Sequence, residues 1–241
     1  MTAPAPHQPH PVTPWRAVAL VLGGSLVLSA TSLTVVLLPQ LFGALHREWR
    51  TYLDVLGEAN LPTWWSSALL VTAALAHGLT GAAGRLARAP GAAGWFVSAG
   101  VLTALSVDDH TQLHERSGRI GRALVTYDSF PFYWLLPGVV GGLAVAAALV
   151  LLALRVQGAT RWLLVTGTAV LLGCALGLEL VQGMLMADGH EATAFTLTYH
   201  VEELGENIGA LLLLAAAATA VSVTRHGSEL DVHYTAHRSY L

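Results

Sequence analysis

Six runs of predominantly apolar residues, each about as long as a bilayer core is thick, constrain this chain more than any other feature. They cover approximately residues 16–38, 63–84, 92–112, 131–154, 161–186 and 198–224. A hydrocarbon core of about 30 Å takes roughly 20 helical residues to cross. Each run stays apolar around most of its circumference, which an amphipathic helix on a soluble protein does not. Only 11% of the 241 residues are charged and 54% are hydrophobic, whereas a soluble domain carries about a quarter of charged residues. The expectation is therefore an all-α integral membrane protein, with one bundle of six transmembrane helices over residues 16–224. Residues 1–15, rich in Pro and His, read as a disordered tail, and residues 225–241 as a second tail. The first apolar run exceeds the ~7–15 residues of a signal-peptide core, so it reads as an uncleaved helix. The lipid bilayer is the partner that this composition demands, and a net charge of −3 gives no reason to expect nucleic acid.

Arginine placement orients the spans. Arg16, Arg85, Arg88, Arg155, Arg161, Arg225 and Arg238 fall on one side, and Arg47, Arg50, Arg116, Arg119 and Arg122 on the other. The positive-inside rule then puts both termini in the cytoplasm of a multi-pass protein of the cell membrane. Trp15, Trp64, Trp65, Trp95, Trp134 and Trp162 sit near the starts of spans, as an interfacial aromatic belt predicts. Gly173-x3-Gly177 and Gly205-x3-Gly209 are spacings that let helix backbones approach closely. The stretch from His46 to Glu58 mixes charges with Trp49 and Tyr52 and reads as a short helix lying on the outer surface.

Three spans carry ionisable residues near their outer ends. Asp108 lies 20 residues beyond Arg88, Glu179 lies 18 beyond Arg161, and Glu206 lies 19 before Arg225. At ~1.5 Å rise per residue, all three stand roughly 27–30 Å from the inner face, so they share one level. On a continuous third helix, Asp108, Thr111, His114 and Glu115 share an arc, His110 pairs with His114, and Asp109 points elsewhere. On the sixth, Glu202, Glu203, Glu206 and Asn207 share another. Facing carboxylate stripes repel strongly in a low dielectric. Protons, solvent, arginine or a cation must neutralise them, and a histidine among carboxylates suits a divalent transition metal such as zinc or iron. The candidate metal site is Asp108, His114, Glu115, Glu179, Glu202, Glu203 and Glu206, with His114, Glu115, Glu203 and Glu206 at its core. No other cofactor is indicated.

Asp108-Asp109-x4-His114-Glu115 and Glu202-Glu203-x2-Glu206-x2-Gly209 resemble the paired motifs of an uncharacterised group of bacterial polytopic membrane proteins. That group reads Asp-Glu and then His-Glu on one helix, and Glu-Glu-x2-Glu-x2-Gly on its last. The resemblance implies a shared site and brings no activity with it; Asp109 stands here in place of the usual Glu. More weakly, Ser106-x3-His110 and His110-x3-His114 resemble fragments of the ceramidase-like membrane hydrolases, which hold zinc. The paired histidines of those proteins lie on the last helix, where this chain has only His200.

Local readings compete with the shared site. Glu115 has Arg119 four residues on, a surface contact worth a few tenths of a kcal/mol. Glu202 and Glu203 lie in early turns of their helix, where the helix dipole favours negative charge. Glu179 and Glu206 sit deeper in apolar sequence, and ionisable residues there are functional candidates by default. Three function classes follow. The first is a metal-binding membrane protein, with hydrolysis of a lipid or small molecule as its simplest reaction if it is an enzyme. The second is a proton- or cation-coupled transporter or channel, with His77 as a relay in the lower half of the membrane. The third is a scaffold subunit without chemistry.

Overall fold

The computed structural model describes residues 10–11, 15–125, 130–189, 192–226 and 229–236. Its long helices are α1 (Trp15–Leu37), α3 (Leu61–Leu86), α4 (Ala92–Thr111), α7 (Leu135–Ala153), α8 (Gly158–Leu172) continued through a π-helical turn (Gly173–Leu178) into α9 (Glu179–Ala187), and α10 (Ala192–Thr219). Short helices α2 (His46–Leu53), α5 (Leu113–Arg116) and α6 (Gly118–Leu124) lie in the connections. Four helical stretches, Trp15–Leu37, Leu61–Leu86, Leu135–Ala153 and Gly158–Ala187, are long and apolar enough to cross a membrane. The fold is thus predominantly α-helical and of membrane type. The other two long helices, α4 and α10, carry Asp108 and Asp109 and the three glutamates Glu202, Glu203 and Glu206.

Local chemistry sets the helix ends. Asn60 Oδ1 accepts the Thr63 amide at 3.1 Å and caps α3, and Pro62 occupies a first-turn position whose missing amide costs nothing. Gly91 enters α4 with φ +88°, in the left-handed region where a Cβ would be strained. Gln112 ends α4 with φ +52°, so the helix does not run on through His114 as the continuous reading supposes.

Helix α10 lies at the centre, packed on α8, α3, α1 and the π turn. The core joins Leu69, Leu70 and Ala73 of α3, Trp95 and Leu102 of α4, Leu149 and Leu152 of α7, Leu164 of α8 and Leu213 and Ala216 of α10. The two glycine spacings behave differently. A methyl group at Gly173 or Gly177 would meet no other atom within 4 Å, whereas at Gly209 it would stand 2.6 Å from the Leu171 amide nitrogen and 2.8 Å from its Cα. A Cβ at Gly205 would collide with the Cys174 sulfur. Close approach therefore belongs to α10 against α8 and the π turn. Gly209→Val should lower unfolding stability in detergent by at least the ~1–3 kcal/mol of an overpacked core, while Gly173→Ala should leave it unchanged.

Segments from the two halves of the chain meet in a sheet absent from the sequence expectation. Strands β1 (His10–Pro11), β2 (Val221–His226) and β3 (Glu229–Tyr234) pair antiparallel in the order β1-β2-β3, with Val221 opposite Tyr234 and His10 opposite Arg225. Residues 221–224 are therefore strand rather than the end of a span, and 229–234 are not a free tail. The alternation in Val-Ser-Val-Thr and Leu-Asp-Val-His-Tyr has a period of two, a pattern that a hydropathy count does not register. Of the proposed tail at 1–15, residues 1–9 and 12–14 lie outside the described residues. Trp95 Nε1 donates to Tyr234 Oη at 3.1 Å and anchors the hairpin under α3 and α4. Trp95 is fully buried and Trp134 nearly so, so these two belong to the interior and not to an aromatic belt. Trp15, Trp64 and Trp162 are exposed, as such a belt requires.

Candidate functional site

The end of the bundle away from the sheet gathers the ionisable residues. Here α3 begins, α4 ends, α9 carries Glu179, and α10 passes through its early turns. Hydrogen bonds stitch these elements together. Asp109 Oδ2 accepts from Ser66 Oγ at 2.9 Å and Ser67 Oγ at 2.5 Å, and Ser106 Oγ donates to the Ser67 carbonyl. Glu179 Oε1 accepts from Trp134 Nε1 at 2.6 Å. Gln182 Nε2 donates to Glu202 Oε2. Each carboxylate just named is held by a neutral donor, which orients it and supplies no opposite charge.

His114 reaches the site through the break after α4. With Gln112 in the left-handed conformation, the chain turns back and Asp108 caps α5: its Oδ1 accepts the His114 amide at 2.8 Å and its Oδ2 the His114 Nδ1 proton at 2.9 Å. The imidazole lies against Trp134, ring centroids 4.5 Å apart. Nδ1 is thereby committed, and among the described residues no hydrogen bond occupies Nε2. This is the carboxylate–histidine arrangement that fixes a ring so its second nitrogen can ligate. Burial alone would depress the basicity of this ring. The hydrogen bond and charge of Asp108, with Glu179 and Glu115 behind it, outweigh burial and raise the His114 pKa above the usual histidine value. The protonated ring therefore persists to higher pH and is lost as pH rises through that raised pKa. In metal-free protein, NMR of ring-labelled histidine should show His114 titrating above an ordinary histidine, and Asp108→Asn should lower its midpoint.

Convergence of charge extends across four elements. The charges of Glu206, Asp109, Glu58 and Glu179 all act on Glu203, and those of Glu202, Asp109, Glu179 and Asp108 act on Glu206. Glu202 feels Glu179 and Glu203. Arg50 pairs with Asp54 and His114 with Asp108, and among the described residues no arginine pairs with a carboxylate of the cluster. The same residues contain no group of three His, Cys, Asp or Glu side chains arranged to hold a metal ion.

The candidate residues therefore divide. Glu179, Glu202, Glu203 and Glu206 share one electrostatic neighbourhood with the Asp108–His114 pair. Glu115 is exposed at its edge, with Gln112 Nε2 3.5 Å away. Asp109, expected to point away, acts on both central glutamates. His110 is exposed, and the bonds and ring contacts of Ser106 and His114 go to Ser67, Asp108 and Trp134 rather than to it. Glu58 was not among the candidates because it lies in a connecting loop. That loop is pinned over the site: the Val55 amide donates to Ser32 Oγ at 2.9 Å, and Ser32 Oγ lies 2.9 Å from His200 Nε2. Asp54 accepts from Arg50, from the Leu56 amide and from Tyr199 Oη. Helix α2, its Trp49 and Tyr52 exposed, is present as expected. The donors Ser66, Ser67 and Trp134 were equally unforeseen; a Ser-Ser pair one turn into an apolar helix is the sequence signal that points to them.

His77 stands apart. It is fully buried, its Nε2 donates to the Leu213 carbonyl at 2.8 Å, its Nδ1 accepts from Ser98 Oγ at 2.7 Å, and Trp95 packs edge-on. Both nitrogens are engaged, as in a neutral ring that ties α3 to α4 and α10.

Comparison with curated proteins and with solved structures finds no match. The family described as Domain of unknown function (DUF8692) matches residues 17–221. That span takes in every residue of the acidic cluster and nearly the whole helical bundle, and the chain belongs to this family.

Proposed function

We propose that the protein is a six-span integral protein of the cell membrane, both termini cytoplasmic, whose acidic pocket near the outer headgroups binds a divalent cation such as zinc or iron. One observation carries the cation reading: carboxylates from the Glu58 loop, α4, α9 and α10 act on one another with no arginine among them in the described residues. Such a cluster needs bound protons or a bound cation. His114 Nε2, Glu203 and Glu206 are the inner ligands, with Glu115 at the rim. Asp108 acts by holding the ring, and Glu179 and Glu202, oriented by Trp134 and Gln182, complete the negative field. Binding has to draw these side chains together from their present spacing. An ion there would supply Lewis acidity for hydrolysis of a lipid or small molecule.

Six crossings are supported by how the ends of the helices assort. Thr160 at the start of α8 bonds Thr219 at the end of α10 at 3.1 Å, and a Cβ at Gly91 before α4 would touch Arg155 after α7. With Tyr234 beneath α3 and α4, these contacts favour a common end, opposite the acidic pocket, for the sheet and for Arg16, Arg85, Arg88, Arg155 and Arg161, as a cytoplasmic face requires. α4 and α10, at 20 and 28 residues, have the length to cross.

The test is metal analysis of protein purified without chelators. About one equivalent of divalent metal in the wild type, lost in Glu206→Ala, is the expected result. Wild type without metal and indistinguishable from Glu206→Ala contradicts the reading.

A further inference from the structure

Beside the acidic pocket, separated from it by Trp134, lies a cavity of about 380 Å³, within the ~300–1,000 Å³ of small-molecule sites. Its walls are apolar, among them Phe130, Phe132, Leu136, Val139, Leu180 and Met184. It sits between the first turns of α7 and the stretch from the π turn into α9. Glycines give it depth. The rings of Phe130 and Phe132 lie directly on Gly183, and Gly142 faces Leu176 so closely that a Cβ would come within 2.7 Å of it.

Two observations say what fills it. First, its mouth opens between exposed apolar side chains of the kind that the proposed spans turn to lipid. Leu136, Val139, Leu180 and Met184 are 38%, 47%, 48% and 55% exposed, on two of the helices long and apolar enough to cross a membrane. An apolar cleft at that place is solvated by hydrocarbon rather than water. Second, the cleft adjoins the polar site at one end. Trp134 is the partition: Tyr133 and Leu135 on either side of it line the cavity, its indole N–H binds Glu179, and its ring lies on His114. Leu180, in the cavity wall, directly follows Glu179. A ligand with a hydrocarbon chain and a polar end at the depth of the outer headgroups matches both halves.

We infer that one acyl chain of a bilayer phospholipid occupies this cavity, with its headgroup at the Glu179–His114 edge of the acidic pocket. This names the ligand class for the site proposed above and rests on that reading for its polar end. The apolar end depends only on the cavity.

The test uses the full chain in phosphatidylcholine nanodiscs doped with a phosphatidylcholine bearing a diazirine midway along one acyl chain, followed by illumination and peptide mass spectrometry. Val140 and Leu143, exposed on α7 outside the cavity, report ordinary annular lipid. The expected result is saturable labelling at Leu136, Leu180 and Met184 that falls about tenfold in Val139→Trp while Val140 and Leu143 label as before. Moving the diazirine to the headgroup should shift adducts to Trp134 and Glu179. Labelling at the cavity that matches Val140 and Leu143, does not saturate and ignores Val139→Trp overturns the inference. Metal content measured on the same samples separates the two proposals. Saturable cavity labelling in a metal-free wild type overturns the cation reading and keeps the acyl-chain site, and bound metal with annular labelling alone does the reverse.

Discussion

The double variant Glu203→Gln/Glu206→Gln should lose at least about 100-fold in cation affinity, the scale on which even supporting residues of a metal site act, and become more stable when no cation is present. Both effects have one cause. The two carboxylates lie under the influence of Asp109, Glu179 and each other or Glu202, with no arginine nearby among the described residues to offset them. Without a cation these buried carboxyls must either repel one another or take up protons, and glutamine avoids both costs, so the metal-free fold should gain on the order of 1–3 kcal/mol. Adding the cation should raise the wild-type unfolding midpoint and not that of the variant, because a ligand stabilises only a state that binds it. Thermal unfolding in detergent, with cation and with chelator, measures all four values. A variant less stable than wild type in chelator would mean that the glutamates serve the fold itself.

His77→Leu should produce the converse. The substitution orphans Ser98 Oγ within the core and removes the bonds to Leu213 O and Ser98 that link α3 to α4 and α10. Loss of both bonds and of a fully buried ring should cost about 2–4 kcal/mol of unfolding stability. Cation content should not change, because the ring lies well below the acidic pocket. If the protein instead carried protons or cations through the membrane with His77 as a relay, the same variant would abolish flux in liposomes. Full metal content with lowered stability and no wild-type flux is the outcome expected of a structural histidine.

How far the sequence carries can be seen residue by residue. The long helices follow from hydropathy because a bilayer-length apolar run has few other solutions. The shared depth of Asp108, Glu179 and Glu206, counted from arginines, anticipates that their charges meet. The hairpin was not legible, since Val221 to Thr224 is apolar enough to extend a span and only its two-residue period marks it as strand. Asp109 was read as pointing elsewhere because the site-facing arc was drawn through His114 on the same helix. A helical wheel assumes that α4 continues, and the left-handed Gln112 that ends it has no strong signature in Thr-Gln-Leu-His. Glu58 joins the cluster through tertiary bonds from Ser32 and Asp54 that no local pattern encodes. The π turn over Gly173–Leu178, one turn ahead of Glu179, is also silent in sequence, although such turns recur at functional sites. The glycine spacings divide for a similar reason, because only the neighbouring helix decides whether a small residue is needed.

The most direct measurement is an anomalous difference map from crystals of the full chain grown with zinc and recorded at the zinc absorption edge. A single strong peak bonded to His114 Nε2 and flanked by Glu203 and Glu206 is the predicted result. A map with no peak there, or with zinc bound elsewhere while these carboxylates keep their present separation, would contradict it.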